Sequence, residues 1–324
     1  MKIRFWGVQG STPNPLSSVQ MREKVKEILR RARDQNLVAE QDIENFLQTL
    51  PFFLISTTGG NTTCFEVLSE TGTRLIIDLG SGARRLGLEL MKGDAGKGKA
   101  ELAVLMTHLH WDHIMGLPFF MPAYTPGNRI RFYGGHPYTH EALERQSHPQ
   151  SFPVRLSEMG AEFSFQQVNE DQRFHVGSFE VACKRLQHPG GSFAYRITEG
   201  DKSLVIATDA EYKELDAQAL RPYVEFYRDA QVLVFDAQYT LKDVFNKVDW
   251  GHSSSFIGVD ISLMANVKQL VLTHHDPNYS DDRMADILEK TEVFKAETIR
   301  QNFDSARSLE LIMAYEGLEV EVGA

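Results

Sequence analysis

The chain has 324 residues, 42% of them hydrophobic and 24% charged, so it can bury a substantial core in one large domain or in two small ones. Its formal net charge of −10 disfavours a large nucleic-acid footprint, because a surface of that kind ordinarily needs a basic face. The acidic balance still allows a small anionic substrate, since metal ions can supply positive charge locally.

Other features of the composition concern the compartment. Cys64 and Cys183 are the two cysteines, and both lie in strand-like segments, which favours buried thiols in a reducing compartment over a disulfide. The N-terminal residues do not resemble a signal peptide, and there is no run of about 18 apolar residues that would span a membrane. We therefore expect a cytoplasmic protein without a membrane partner.

The first predicted elements precede residue 59. Alternating residues over 2–6 predict a strand, and a turn rich in Gly, Ser, Asn and Pro follows over 7–15. Over 17–50, two stripes of apolar residues recur at helical spacing on either side of a break near Asn36. These stripes predict two amphipathic helices, whose apolar faces need a partner surface.

Strands dominate the middle of the chain, and helices interleave later. In chain order, the patterns predict strands at 62–68 and 74–78, a helix at 80–91, strands at 102–106 and 130–133, a helix at 139–146, strands at 162–168, 179–187, 192–197 and 203–207, a helix at 216–229, a strand at 232–235, a helix at 254–266, a strand at 268–273, a helix at 281–297 and closing strands at 308–315 and 318–322. This succession indicates sheets with helices packed outside. The sequence shows no recognisable internal repeat.

One short stretch directly after the predicted strand 102–106 carries four potential metal ligands, His108, His110, Asp112 and His113. In an extended loop, alternate side chains point the same way, so the first two histidines would face one metal ion while the last two residues turn toward a neighbouring one. Imidazole and carboxylate together suit zinc, manganese or iron better than calcium or magnesium. The alternative is a surface turn that happens to be rich in histidine.

Three further segments place a polar residue at or just after the end of an apolar strand, namely His188, Asp209 and His274. Taken alone, each residue is more often a cap or turn residue than a ligand. Side chains at the ends of several strands converge on one edge of a layered fold, where sites tend to form. Together with the first cluster they make a set of seven candidate ligands.

With these residues in place, the chain resembles the metallo-β-lactamase superfamily. The signature His-x-His-x-Asp-His and the later His, Asp and His appear in the family's order, and segments 2–12, 59–64, 77–82 and 274–277 are similar to the branch of phosphodiesterases and the tRNA 3′-end nuclease. The resemblance implies an α/β fold, an αββα sandwich of two mixed sheets flanked by helices. It covers about 1–16 and 59–324 of a single catalytic domain, 1–324, and leaves a helical insertion at about 17–58.

The resemblance also implies how the ligands divide. One metal ion would be held by His108, His110 and His188, the other by Asp112, His113 and His274, and Asp209 would bridge them. We expect two divalent ions, Zn²⁺ first, with Mn²⁺ or Fe²⁺ as alternatives.

Two differences between this chain and the family's pattern argue against particular activities. Many true β-lactamases carry Cys where this chain has the bridging Asp209, which argues against β-lactam hydrolysis. Only 20 residues separate His188 from Asp209, in a region where the tRNA nucleases of this type place a protruding RNA-binding arm. This spacing and the acidic net charge argue against tRNA processing.

Three residues are candidates for the chemistry itself. Two adjacent cations can lower the pKa of a shared water, and Asp112 would orient that water for attack. His252, in a Gly-His-Ser stretch that resembles the nuclease branch, is the first candidate for proton donation to the leaving oxygen, although it could instead cap a helix. His275 is the second candidate, either beside a ligand or touching phosphate. Asp78 and Asp276 are expected to accept hydrogen bonds from ligand imidazoles, or to serve only in turns.

The predicted activity is hydrolysis of a phosphodiester, a cyclic nucleotide or another small nucleotide, at a dinuclear metal site. The nearest alternative is an ester, lactone or thioester hydrolase with the same ligands, and a di-iron redox enzyme is a more distant one. A non-catalytic binding protein is the third, and the complete ligand set argues against it. The expected partner is a small anionic substrate, and the insertion at 17–58 could be a lid, a homodimer interface or decoration.

Overall fold

The computed structural model describes residues 1–304 and 306–323. The strands are β1 (Lys2–Gly7), β2 (Cys64–Leu68), β3 (Arg74–Ile77), β4 (Glu101–Met106), β5 (Arg129–Gly134), β6 (Glu162–Gln167), β7 (Arg173–Val176), β8 (Phe179–Leu186), β9 (Ser192–Glu199), β10 (Lys202–Ala207), β11 (Val232–Asp236), β12 (Gln269–Thr273), β13 (Glu310–Met313) and β14 (Glu319–Glu321). The α-helices are α1 (Ser18–Ala32), α2 (Glu40–Gln48), α3 (Phe52–Ile55), α4 (Ala83–Leu90), α5 (Trp111–Ile114), α6 (Thr139–Gln146), α7 (Ala217–Tyr227), α8 (Leu241–Asn246), α9 (Ser255–Met264) and α10 (Asp281–Asn302).

The strands form two seven-stranded mixed sheets. The first has the order β14-β1-β2-β3-β4-β5-β6, and the second has the order β13-β12-β11-β10-β9-β8-β7. In the first sheet the pairs are antiparallel from β14 to β3 and parallel from β3 to β6. In the second sheet they are antiparallel from β7 to β10 and parallel from β10 to β13. The two sheets therefore repeat one pattern that the sequence does not reveal.

The buried apolar side chains fall into three layers. The central layer joins the inner faces of the two sheets and includes Phe5, Leu105 and Tyr195. A second layer lies between the outer face of the second sheet and the helices α7, α9 and α10. A third lies between the outer face of the first sheet, helix α4 and the segment that follows α5. The predicted αββα architecture is confirmed, because each sheet buries one face on the other sheet and one on helices.

The segment at 17–58 contains α1, α2 and α3. No residue of α1 or α2 is buried, whereas Phe53 of α3 is buried in the apolar layer that includes α10. The Lys24 ammonium group of α1 donates hydrogen bonds to the Phe53 and Ser56 carbonyls within the segment and pairs with Asp281 at the start of α10. The predicted helices of the segment are observed, and its role stays a prediction.

Most of the predicted elements are present, with boundaries shifted by a few residues. The patterns do not predict the short elements α3, α5, α8 and β7, because four to six residues are too few to display a helical or alternating period. The helix α5 matters for the site, since it turns Asp112 and His113 away from the direction of His108 and His110. The sequence predicts this turn but not that its backbone is helical.

Candidate metal centre

The site lies at the carboxyl ends of strands from both sheets. Asp78 directly follows β3, Asp209 follows β10 after one residue, and His274 directly follows β12. All three residues adopt left-handed backbone conformations, with φ between 52° and 61°. Non-glycine residues rarely adopt this conformation, and clusters of such residues mark places where surrounding structure holds a strained backbone for function. The turn after each strand thereby aims its side chain toward the shared edge.

One group of candidate ligand atoms comes from His108, His110 and His188, whose ring nitrogens lie within 4.8 Å of one another. The Nε2 atom of His188 is 3.0 Å from Nδ1 of His110. His108 is buried, whereas His110 is exposed and marks the side of the group that faces solvent. The loop before α5 and the turn after β8 therefore meet as the sequence predicts.

A second group consists of Asp112, His113, Asp209 and His274, and all four residues are buried. The Nε2 atoms of His113 and His274 are 3.3 Å apart. Asp112 Oδ2 is 3.1 Å from His274 Nε2 and 3.5 Å from His113 Nε2. This spacing surrounds a volume of the size of one cation.

Asp209 lies between the two groups. Its Oδ1 atom is 3.2 Å from His113 Nε2, and its Oδ2 atom is 3.6 Å from His108 Nε2 and 3.9 Å from His188 Nε2. One carboxylate therefore faces ligand nitrogens of both groups, which is the arrangement that a bridging ligand requires. The structure brings together the seven predicted ligands, and their role in binding metal stays a prediction.

Most of the imidazoles are held in one orientation by a hydrogen bond on the nitrogen that faces away from the cluster. The Nδ1–H groups of His113, His188 and His274 donate to Asp78 at 2.7 Å, to the Gly251 carbonyl at 2.8 Å and to Gln238 at 3.1 Å, respectively. His108 Nδ1 lies 3.2 Å from the Thr107 hydroxyl, which itself donates to Asp78 at 2.6 Å. Such partners fix the tautomer and leave Nε2 free to bind a cation.

The pKa shifts of the histidines differ between the two groups of candidate ligands. In the first, burial lowers the pKa of His108 well below its ordinary value and also lowers the pKa of His110 and His188. These imidazoles are therefore neutral near pH 7, the form that binds a metal ion.

In the second group, burial also opposes the charged imidazoles of His113 and His274, but the neighbouring carboxylates outweigh it. Asp209 and Asp112 raise the pKa of His113 well above its ordinary value and that of His274 to about 9. Burial raises the pKa of Asp209, yet the charges of His113 and His274 hold it well below its ordinary value. Without a cation, protons balance the carboxylates here, so loading this group with metal releases protons.

The donor set fits divalent cations. Among the described residues, His108 Nε2 and Asp209 Oδ1 are buried side-chain atoms without a hydrogen-bond partner. Leaving such atoms unpaired costs about 1–3 kcal/mol each, and more for charged groups, so both are explained if they face a metal ion. Imidazole nitrogens with two or three carboxylate oxygens are ligands that zinc, manganese and iron accept.

His252 lies at the edge of the cluster and pairs with a carboxylate that the sequence reasoning missed. Its Nδ1–H donates to Asp236 Oδ2 at 2.9 Å, and its ring stacks on that of His274 with centroids 5.0 Å apart. Asp236 is fully buried at the end of β11 and also accepts from the backbone N–H groups of Ala210 and Gln238. The alternative assignment of His252 to a helix cap is wrong, because Ser254 caps α9.

His275 is turned away from the cluster. Its ring is buried and its Nε2–H donates to the Ala314 carbonyl at 2.8 Å, beyond the end of β13. Burial lowers its pKa to about 4, so it stays neutral. Because neighbouring side chains at a strand end point to opposite faces, His274 enters the site and His275 does not. This placement does not support the predicted role of His275, and we do not propose it.

Of the two carboxylates expected to accept hydrogen bonds from ligand imidazoles, one does and one does not. Asp78 contacts His113, as expected, whereas Asp276 accepts from Asn278 and pairs with Lys247 instead of touching a ligand imidazole. Asp236, the last residue of β11, and Gln238, two residues later, show the same strand-then-polar pattern that identified the other residues. That signal was present in the sequence and could have found them.

Comparison with known proteins agrees with the resemblance seen in the sequence. The sequence family described as a beta-lactamase superfamily domain matches residues 73–275. The chain belongs to the metallo-β-lactamase superfamily. Ribonuclease Z of Bacillus cereus (strain AH820) is 27% identical, over 74% of this chain and 91% of that protein. The predicted superfamily, its fold and the assignment to metal-dependent hydrolases are confirmed.

Solved structures share the fold of this superfamily member. The metallo-β-lactamase fold protein YhfI from Bacillus subtilis superposes with a TM-score of 0.63 at 18% identity, covering 98% of each chain. Human tRNase Z, short form, superposes with a TM-score of 0.60 at 16% identity, covering 100% of each chain. At such identities the similarity establishes architecture and not activity.

One expectation from composition is wrong. The net charge of −10 disfavours a large nucleic-acid footprint, yet the curated relatives include ribonucleases Z, and a tRNase Z shares the fold. Net charge averages over the whole surface, whereas cations bound in a cluster of this kind supply positive charge where a phosphate lies. An acidic net charge is therefore no argument against RNA as a substrate.

Among the helices in the described part of the chain, none combines the length and apolar character needed to cross a bilayer.

Proposed function

We propose that this chain hydrolyses phosphodiesters with two divalent metal ions, Zn²⁺ being the expected pair. The observation that supports this most strongly is the position of Asp209, whose two carboxylate oxygens face the ligand nitrogens of two separate groups. A carboxylate shared in this way suits two cations held close enough to act on one substrate.

The metal ions would supply Lewis acidity, neutralising charge on the phosphate and lowering the pKa of water. The chain's own residues then place the reacting groups. Asp112 is held by the Ser11 backbone N–H, which donates to Oδ2 at 2.8 Å, with the same oxygen turned toward His113 and His274. We assign the second oxygen of Asp112 to accept a hydrogen bond from the attacking water and so orient it.

We assign His252 to the leaving oxygen. With Nδ1–H donated to Asp236, its Nε2 is the nitrogen that can carry a proton to that oxygen. Asp236 acts as a positioning residue, because its buried carboxylate fixes the ring and balances the charge of the protonated imidazole. General acid catalysis of this kind contributes about 10²–10⁴-fold to rate.

The substrate we propose is a nucleotide phosphodiester, with a cyclic nucleotide and RNA as the forms to test. RNA is included among the substrates to test because the curated relatives include ribonucleases Z. The turn between β9 and β10 comprises only residues 200–201, so the segment from His188 to Asp209 does not extend away from the body.

The test is a substrate panel on protein of measured metal content. Bis(p-nitrophenyl) phosphate, 2′,3′- and 3′,5′-cyclic nucleotides and an RNA with a 3′ extension represent phosphodiesters, and a lactone and a thioester represent carboxyl substrates. We expect turnover of at least one phosphodiester, lost on chelation and restored by Zn²⁺. Turnover confined to the lactone or thioester would contradict the proposal.

A further inference from the structure

Two of the chain's three tryptophans are exposed, and both belong to segments that build the candidate metal centre. Trp111 is 75% exposed and stands between the candidate ligands His110 and Asp112. Trp250 is 61% exposed and directly precedes Gly251, the residue that accepts the hydrogen bond from His188. Large exposed aromatics at the mouth of a site mark binding surfaces more often than chance, because exposing an indole to water is unfavourable.

The backbone that carries Trp111 is fixed. The residue opens α5, His110 precedes it as the N-cap, and its carbonyl accepts the Met115 N–H at 2.7 Å. Since His110 is the exposed member of its ligand group, the backbone of the next residue, Trp111, lies where the centre opens to solvent. Because the backbone is already held in place, contact with a bound molecule would have to order only the side chain.

The backbone around Trp250 is fixed from below by a buried carboxylate. Glu211 accepts the Asp249 N–H at 3.0 Å on one oxygen and the Gly251 N–H at 3.2 Å on the other, so its two hydrogen bonds straddle the tryptophan. Gly251 has φ of 86°, and a Cβ there would lie 2.3 Å from His188 Nδ1, so this loop rests directly on a candidate ligand.

A cation completes this surface. The ammonium group of Lys247 lies 5.6 Å from the centre of the Trp250 ring and 4.0 Å from that of Tyr239, whose ring in turn contacts His252 with centroids 5.3 Å apart. The Lys247 ammonium group also pairs with Asp276 at 3.3 Å, which holds it beside the Trp250 ring. An exposed indole beside an ammonium group, linked through the buried Tyr239 to the candidate metal centre, suits a base joined to a phosphate.

We propose that Trp111 and Trp250 stack on the nucleobases of the substrate and so select nucleotide phosphodiesters over simple ones. This inference rests on the proposed function and assigns the binding surface that accompanies it. Stacking of a base on an aromatic side chain tolerates every base, so we expect preference for a nucleoside over an alkyl group and little preference among bases.

The test compares two esters with the same leaving group, the p-nitrophenyl ester of thymidine 5′-phosphate and methyl p-nitrophenyl phosphate. In Trp111→Ala and Trp250→Ala, the ratio of kcat/KM for the thymidine ester to that for the methyl ester should fall about tenfold, mostly through KM, and Trp→Phe should restore most of it. Val293→Ala removes part of an exposed apolar side chain on α10 and serves as the matched control that keeps the ratio unchanged. An unchanged ratio in both tryptophan variants, at unchanged metal content, would overturn the inference.

A second readout does not depend on turnover. Thymidine monophosphate should quench the tryptophan fluorescence of the Zn²⁺-loaded wild type, and inorganic phosphate should not, with the quenching reduced in each Trp→Phe variant. Hydrolysis of the methyl ester without such quenching would contradict stacking on the tryptophans and support the proposed function. Quenching without hydrolysis of either ester would support stacking and contradict the proposed function.

Discussion

The left-handed backbone at Asp78, Asp209 and His274 shows how individual residues determine this centre. A non-glycine residue in that conformation costs roughly 1 kcal/mol or more, and three of them occur at the ends of three strands that meet at one edge. Each turns a side chain toward the cluster that a continuing strand would have aimed elsewhere. The cost is offset by hydrogen bonds within the site and, under the proposed function, by metal binding.

Asp236 provides the first test at this scale. Asp236→Asn removes the charge that faces His252 while keeping the size of the side chain, so we expect kcat on a phosphodiester to fall by about 10²-fold with metal content unchanged. The comparison is His252→Gln and the double variant. If the pair acts as a unit, the double variant is no slower than the slower single one, whereas multiplicative losses would contradict a shared role.

Gly251 provides a second test. Gly251→Ala places a methyl group 2.3 Å from His188 Nδ1 on a backbone with φ of 86°, so His188 must move and its hydrogen bond to this residue must break. We expect loss of about one metal ion per chain with the fold retained, measured by metal analysis and circular dichroism. Gly72→Ala is the control, because its φ is 90° but no atom lies within 4 Å of the added Cβ. Full metal content in Gly251→Ala would contradict the assignment of His188.

At the scale of elements, the sequence predicts well where a long period or an apolar run exists. The strand before His108 and the helix at the C-terminal end, α10, both follow from patterns of this kind. The short helix α5 does not, because four residues carry no period, so the sequence predicts a turn at Asp112 and His113 but not its helical backbone. The seven candidate ligands were nevertheless found, since identity and strand-end position do not depend on the exact turn. Asp236 was missed because a lone carboxylate after a strand is common.

A partly buried carboxyl group on helix α9 predicts how the stability of the protein depends on pH. Burial raises the pKa of Asp260 to about 6 from 3.8, so its contribution to stability is fully present below about pH 4 and is lost as the pH rises through about 6. Asp260→Asn should therefore stabilise the protein above pH 6 by about 1 kcal/mol, a value reduced because the side chain is partly exposed. Urea unfolding at pH 8 and at pH 4 measures it, with Asp282→Asn, at the start of α10, as the control. A gain of the same size at both pH values would contradict the account.

At the scale of the whole molecule, the two sheets meet at a cluster that holds buried carboxylates and imidazoles. If two cations bind there, they bind the folded state and not the unfolded chain, so stability should rise with the concentration of free Zn²⁺, by about 4 kcal/mol for each ion at a thousand times its dissociation constant. Thermal unfolding across a series of buffered Zn²⁺ concentrations measures this. Asp209→Ala should show a much weaker dependence, and a wild-type melting temperature independent of Zn²⁺ would count against the site.

The most direct test of the central claim is anomalous diffraction at the zinc edge from crystals of the Zn²⁺-loaded protein. The account predicts two peaks in each chain, one among His108, His110 and His188 and the other among Asp112, His113 and His274, with Asp209 between them. A single peak, or none at this edge of the sheets, would contradict it.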